Sequence, residues 1–62
     1  MENFTYEISL IKKSTPDSTY GRLVASITLE HAADIFQKIY EIISNEAYHD
    51  ELHTIIIDIH KK

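Results

Sequence analysis

Histidine and carboxylate side chains are the groups in this 62-residue sequence that could do chemistry, and it contains four histidines and ten acidic residues. The closest pair of histidines is His49 and His53, with Asp50 and Glu51 between them. On a helix, a spacing of four would place two imidazoles on one side of a cation. Two ligands are too few for a site, and the alternating pattern that starts at His53 predicts a strand, which would separate the rings. We therefore expect no metal site and no cofactor.

Residue types used in nucleophilic catalysis are present, but no known motif contains them. The sequence has no cysteine, no serine in a strand-turn-helix elbow and no glycine-rich loop that could bind phosphate. A chain of this size could enclose a substrate only between subunits. We expect no enzymatic activity, and the alternative is a small oligomeric enzyme with a pocket at subunit junctions.

The segment 29–47 predicts the single helix of the fold. Thr28 is a suitable N-cap because its hydroxyl can accept a hydrogen bond from an unpaired N–H of the first turn. Apolar residues recur at spacings of three and four and form one face of an amphipathic helix. These residues are Ala32, Ile35, Phe36, Ile39, Ile42 and Ile43.

Three alternating segments, at about 4–11, 22–28 and 53–60, predict strands. Between the first two, the segment 12–20 predicts a long hairpin loop, with Pro16 and Asp17 at the centre of a turn. Gly21 indicates a bulge or a positive φ at the start of the second strand. The predicted inward-facing residues are Phe4, Tyr6, Ile8, Leu10, Leu23, Ala25, Ile27, Ile55, Ile57 and Ile59.

The order strand, strand, helix, strand predicts an α+β fold in a single small domain, residues 1–62. A helical crossover makes the second and third strands parallel to each other, which leaves the sheet orders 2-1-3 and 1-2-3. We favour 2-1-3, in which all neighbouring strands are antiparallel, because small one-layer sheets are commonly antiparallel. The prediction is a three-stranded, mainly antiparallel sheet with one helix packed on one face.

Self-association is expected, because 62 residues are near the lower limit for a stable single core. One helix can cover only one face of the sheet. Val24 and Ile56 form a modest apolar pair on the other face. We predict a homodimer with Val24 and Ile56 in its interface.

Charge and hydropathy limit the partners. Ten acidic and six basic residues give a net charge of −4, which disfavours direct binding to nucleic acid. No signal peptide or apolar run long enough to span a bilayer is evident. We expect a cytoplasmic protein with no membrane partner.

The outward side of the predicted helix is mostly acidic, and it includes Glu30, Asp34 and Glu41. One interpretation is a solvated surface with an ion pair from Asp34 to Lys38. The other is a partner-binding surface in which Glu30, Asp34, Glu41 and Tyr48 contact an unidentified protein. Tyr40 and Tyr48 are the candidate anchors of this surface.

Over 4–59 the chain resembles the small phage-encoded inhibitors of uracil-DNA glycosylase. The shared features are the succession strand, strand, helix, strand, an opening segment like TYEISLI and the acidic charge. This resemblance implies a dimeric mimic of DNA. Our main expectation is a non-enzymatic protein-binding module that acts as a homodimer. Such a chain could be a viral or mobile-element inhibitor or regulator of a host protein. The alternative is an acidic DNA-mimic inhibitor of a nucleic-acid-binding enzyme.

Overall fold

Three antiparallel strands and one α-helix form the fold of this computed structural model, which describes residues 3–62. The strands are β1 (Phe4–Lys13), β2 (Gly21–Leu29) and β3 (His53–Lys61). The helix α1 is Ala33–Ile43, and a short 3-10 turn follows it at Glu46–Tyr48. No helix among the described residues is long and apolar enough to cross a membrane.

The sheet order is β2-β1-β3, and β1 is antiparallel to both of its neighbours. The predicted 2-1-3 order and the α+β class are therefore confirmed. In the register, Ile8 lies between Ile27 of β2 and Ile57 of β3. Because β1 is the central strand, its apolar side chains have neighbours on both sides.

Among residues 3–62, the fully buried apolar core consists of two side chains of β1. Ile8 is 1% exposed and Leu10 is 2% exposed. Both lie on the sheet face beneath α1, which we call the inner face, and Ile35, Ile39 and Ile42 of the helix are half-buried against it. Full burial of an aliphatic side chain contributes about 1.5–3 kcal/mol. The core is therefore small even for a chain of this length.

The helix starts later than predicted, because β2 continues through the residues assigned to its first turn. Leu29 is paired with Tyr6 in the β2–β1 ladder, and Thr28 is paired with Glu7. Thr28 therefore cannot cap the helix. The N-cap is Ala32, which provides no side-chain hydrogen bond.

The helix also ends earlier than predicted, at Ile43. Asn45 interrupts it, since its backbone is extended and its side-chain oxygen accepts a hydrogen bond from the N–H of Ala47. This local hydrogen bond competes with helix continuation, as is typical of asparagine. The predicted range 29–47 therefore contains the end of a strand, a helix and a 3-10 turn.

The hairpin loop is shorter than predicted, since Lys12 and Lys13 are in the ladder. The loop 14–20 contains a turn closed by a hydrogen bond of 3.1 Å from the N–H of Ser18 to the carbonyl of Thr15. Pro16 and Asp17 are its central residues, as predicted.

A β-bulge changes the orientation of one predicted core residue. Leu10 is paired with Ala25, but its neighbour Ile11 is paired with Leu23, so that Val24 is the extra residue. The bulge places Leu23 with Ile11 on the outer face of the sheet, the face opposite α1. The prediction that Leu23 shares the face of Ala25 is wrong.

Gly21 is required by close packing and not by its backbone angles, since its φ is not positive. A Cβ atom at this position would overlap the Cγ2 methyl of Ile11 and would lie 3.1 Å from the carbonyl oxygen of Lys12. The methyl cannot move away easily, because β-branched side chains are stiff at χ1.

We therefore expect Gly21→Ala to lower the free energy of unfolding by about 1–3 kcal/mol, the usual effect of overpacking. Urea denaturation followed by circular dichroism measures the change. The control is Thr19→Ala, at an exposed loop position. Equal stability of the two variants would contradict this explanation of the glycine.

Candidate protein-binding surface

The position of α1 over the sheet determines which apolar side chains remain exposed. Lys38 and Ile42 line a groove of about 270 Å³ with residues of β1 and β2. Those residues are Ile8, Ala25, Ser26 and Ile27. The side of α1 that carries Lys38 therefore faces β2 across this groove, and the opposite side of the helix faces away from it.

That opposite side of the helix carries an exposed apolar stripe. Phe36 is 79% exposed and Tyr40 is 69% exposed, and Ile43 continues the stripe. Phe36 and Ile43 were predicted to lie in the core, and this prediction is wrong. The helix buries only the arc through Ile35, Ile39 and Ile42, and Phe36 and Ile43 lie beside that arc.

The part of the inner face on β3 is also exposed. Ile57 and Ile59 lie on the face of Ile8, as predicted, but they are not buried, and Ile59 is 66% exposed. We call Phe36, Tyr40, Ile43, Ile57 and Ile59 the apolar surface. All five lie on the helix-bearing side of the sheet. Exposed apolar side chains that gather on one side of a soluble protein often mark an interaction site, and aromatic residues are enriched at the centres of such sites.

Val24 and Ile56, the predicted dimer interface, are both exposed, on the two edge strands. Val24 is the extra residue of the bulge. Ile56 is paired with Ser9 of the central strand, and Ser9 is itself buried between its neighbours. The pair is therefore accessible, but it offers less apolar surface than the side that carries Phe36.

The three acidic residues predicted to bind a partner are exposed. Glu30 follows β2, Asp34 is in the first turn of α1, and Glu41 is near its end. The predicted pair of Asp34 with Lys38 is not what the structure shows, because the ammonium of Lys38 is 2.8 Å from a carboxylate oxygen of Glu41. This hydrogen bond, with a smaller contribution from Gln37, lowers the pKa of Glu41. One of the three acids is therefore partly neutralised within the helix.

Tyr48 has a structural contact of its own. It belongs to the 3-10 turn and is half-buried. The centre of its ring is 5.2 Å from that of His53, with a tilt of 57°. Of the two candidate anchors, Tyr40 therefore presents more surface to a partner than Tyr48 does.

The two closely spaced histidines do not converge. The imidazole Nε2 of His49 interacts with the carbonyl oxygen of Ile43. The Nδ1 of His53 is 2.9 Å from a carboxylate oxygen of Asp50. Each ring therefore has a partner of its own. His49 ends the 3-10 turn and His53 begins β3, so the two residues do not share the helix that their spacing would require.

The hydrogen bond from His53, followed by a weaker one from the backbone of Leu52, lowers the pKa of Asp50 below its ordinary value of 3.8. A carboxylate with a lowered pKa stabilises the fold above its ordinary pKa, and this contribution is lost as the pH falls through the lower value. We expect Asp50→Asn to lower the thermal midpoint near pH 6, and we expect this effect to shrink progressively as the pH falls below 3.8.

Thermal denaturation at a series of pH values measures this difference. Glu51→Gln is the matched control, because this exposed neighbour makes no hydrogen bond or ion pair within residues 3–62. A difference between wild type and Asp50→Asn that does not change with pH would contradict the role of the charge.

A different set of possible metal ligands meets on the outer face of the sheet. Ligand atoms of Glu7, Asp58 and His60 all lie within 4.8 Å of one another. Asp58 and His60 are two residues apart on β3, so the sequence alone shows only that they share a face of that strand. Glu7 was missed because its position opposite Asp58 depends on the pairing of β1 with β3.

Comparison with known proteins gives no match: no family model, no curated protein and no solved structure corresponds to this chain. The resemblance to inhibitors of uracil-DNA glycosylase therefore stays a prediction. The functional argument depends on the surfaces of the chain itself.

Proposed function

We propose that this chain is a small non-enzymatic protein-binding module that acts as a homodimer, and that two copies meet through the apolar surface. The observation that supports this proposal is the exposure of Phe36, Tyr40 and Ile59 on the same, helix-bearing side of the sheet. The proposed interface thus differs from the one centred on Val24 and Ile56 that the sequence predicted.

The size of the core supports association. Only Ile8 and Leu10 are fully buried among the apolar side chains of residues 3–62. A typical interface buries about 800 Å² per partner, which is roughly one sixth of the 4775 Å² of accessible surface. A second copy would therefore add substantially to the apolar area removed from water.

Two-fold symmetry suits this surface, because it contains two apolar parts: the stripe on α1 and the isoleucines of β3. In an isologous dimer, the same patch is used by both copies, and residue i of one contacts residue j of the other. The helix stripe of one copy would lie on Ile57 and Ile59 of the second copy. The same contact would cover β3, an edge strand whose exposed isoleucines would otherwise favour uncontrolled pairing.

Glu30 and Asp34 remain available for another protein in this arrangement. The role we propose is inhibition or regulation of a host protein in the cytoplasm by a virus or mobile element, and its support is the small size and the absence of a catalytic motif. The partner is identified only as a protein that accepts an acidic surface.

Sedimentation equilibrium over a dilution series tests the homodimer. We expect twice the chain mass at micromolar concentration and above, and dissociation on dilution. A single chain mass throughout the series would contradict the proposal.

The second candidate is an acidic mimic of DNA, which the exposed carboxylates of Glu30 and Asp34 favour. Two copies would double this set of charges. A mimic would compete with DNA for a nucleic-acid-binding enzyme, and salt would strongly weaken the complex. A complex that is insensitive to salt would exclude this candidate.

A further inference from the structure

We infer that Glu7, Asp58 and His60 form a binding site for one zinc ion on the outer face of the sheet. The site lies on the face opposite α1 and does not depend on the proposed dimer. It is formed by side chains of two neighbouring strands, and the strand register brings them together.

The register explains the geometry. Glu7 of β1 is directly opposite Asp58 of β3, and His60 follows two residues later on the same strand. Residues two apart on a strand point to the same face, so all three side chains project from the outer face. Their ligand atoms lie within 4.8 Å of one another. Ligands of a tetrahedral zinc ion are about 3.3–3.6 Å apart, given bonds of about 2.0–2.2 Å, so small side-chain rotations complete the site.

The charges of the site favour a cation. Two carboxylates directly opposite each other on neighbouring strands destabilise a sheet. In the described part of the chain, the acidic residues with ion-pair partners are Glu41 and Asp50, and no lysine or arginine pairs with Glu7 or Asp58. Glu7 is also half-buried on the central strand. A divalent ion would convert this repulsion into attraction.

The mixture of ligands favours zinc over calcium and magnesium. Calcium and magnesium prefer sites made of oxygen ligands, whereas zinc readily combines an imidazole nitrogen with carboxylate oxygens. Three protein ligands leave a fourth position for water. Ligands on strands are held more precisely than ligands on loops, which favours binding of an ion by as few as three groups.

Isothermal titration of the full chain with zinc chloride, after treatment with EDTA and dialysis, tests the site. We expect one zinc ion per chain. The substitutions Glu7→Gln, Asp58→Asn and His60→Gln should each weaken binding at least about tenfold, because loss of even an outer partner of a metal ligand costs 10–100-fold. The control is His49→Gln, which should leave the affinity unchanged.

Thermal denaturation provides a second readout, which also shows that the variants fold. Without metal, Glu7→Gln and Asp58→Asn should raise the thermal midpoint, since each removes one of two opposed charges. With excess zinc, the order of the thermal midpoints should reverse, because an ion that binds only the folded chain stabilises that chain. Wild type should then have the highest midpoint.

Three results would overturn the inference. The first is no binding of zinc by wild type at millimolar concentration. The second is equal binding by wild type and all three variants of the site. The third is loss of binding in His49→Gln, which would assign the ion to the histidines that precede β3.

Discussion

Replacement of Phe36 by aspartate is expected to convert the dimer into monomers without unfolding the chain. Phe36 is 79% exposed on α1, so the folded monomer loses almost no packing. In the dimer, the new carboxylate would be buried against isoleucines with no cation to pair with, which is costly. Aromatic anchors at the centre of an interface contribute about 2–4 kcal/mol, so we expect the dissociation constant to rise about thirtyfold or more.

Sedimentation measures this dissociation, and circular dichroism confirms that the variant is folded. Ile56→Lys is the matched comparison, because it places a charge at an exposed apolar position on the outer face. We expect this variant to remain dimeric. If Ile56→Lys dissociates and Phe36→Asp does not, the interface lies on the outer face, around Val24 and Ile56.

Truncation of the core is expected to have the largest effect on stability. Ile8 is 1% exposed and lies between Ile27 and Ile57 in the sheet. Replacement of a buried isoleucine by alanine costs about 2–5 kcal/mol, because it removes apolar contacts and leaves a cavity. A domain of this size rarely has more than about 3–5 kcal/mol from its core. We therefore expect Ile8→Ala to be largely unfolded at 25 °C.

Ile59→Ala provides the control, since it makes the same change at an exposed position of the inner face. Both substitutions should be measured in the Phe36→Asp background, so that loss of the dimer does not contribute. Far-ultraviolet circular dichroism and urea titration give the stability. Similar losses in the two variants would mean that the core does not centre on β1.

The strand order could be predicted because the helical crossover leaves only two sheet orders, and small one-layer sheets favour the one in which all neighbouring strands are antiparallel. The limits of the helix could not, because the segment around Leu29 fits both the end of a strand and the start of a helix. Its pairing with Tyr6 decides between them, and this pairing is a long-range contact. Asn45 shows the opposite case, in which a local hydrogen bond ends the helix early.

The exposed surface was missed because the apolar residues of α1 cover a wider arc than one helix can bury against a three-stranded sheet. Periodicity places Phe36 within the apolar face of the helix, but it does not show which part of that face contacts the sheet. The site of Glu7 was missed for a related reason. Neighbours across strands depend on register, and a single bulge, such as the one at Val24, changes which residues share a face.

The most direct test of the homodimer is an isotope-filtered nuclear Overhauser experiment on a mixture of labelled and unlabelled chains. This measurement detects only contacts between two copies. We predict contacts from the ring protons of Phe36 and Tyr40 in one copy to the methyl groups of Ile57 and Ile59 in the other. The absence of such contacts at millimolar concentration, or contacts that involve only Val24 and Ile56, would contradict association through the apolar surface.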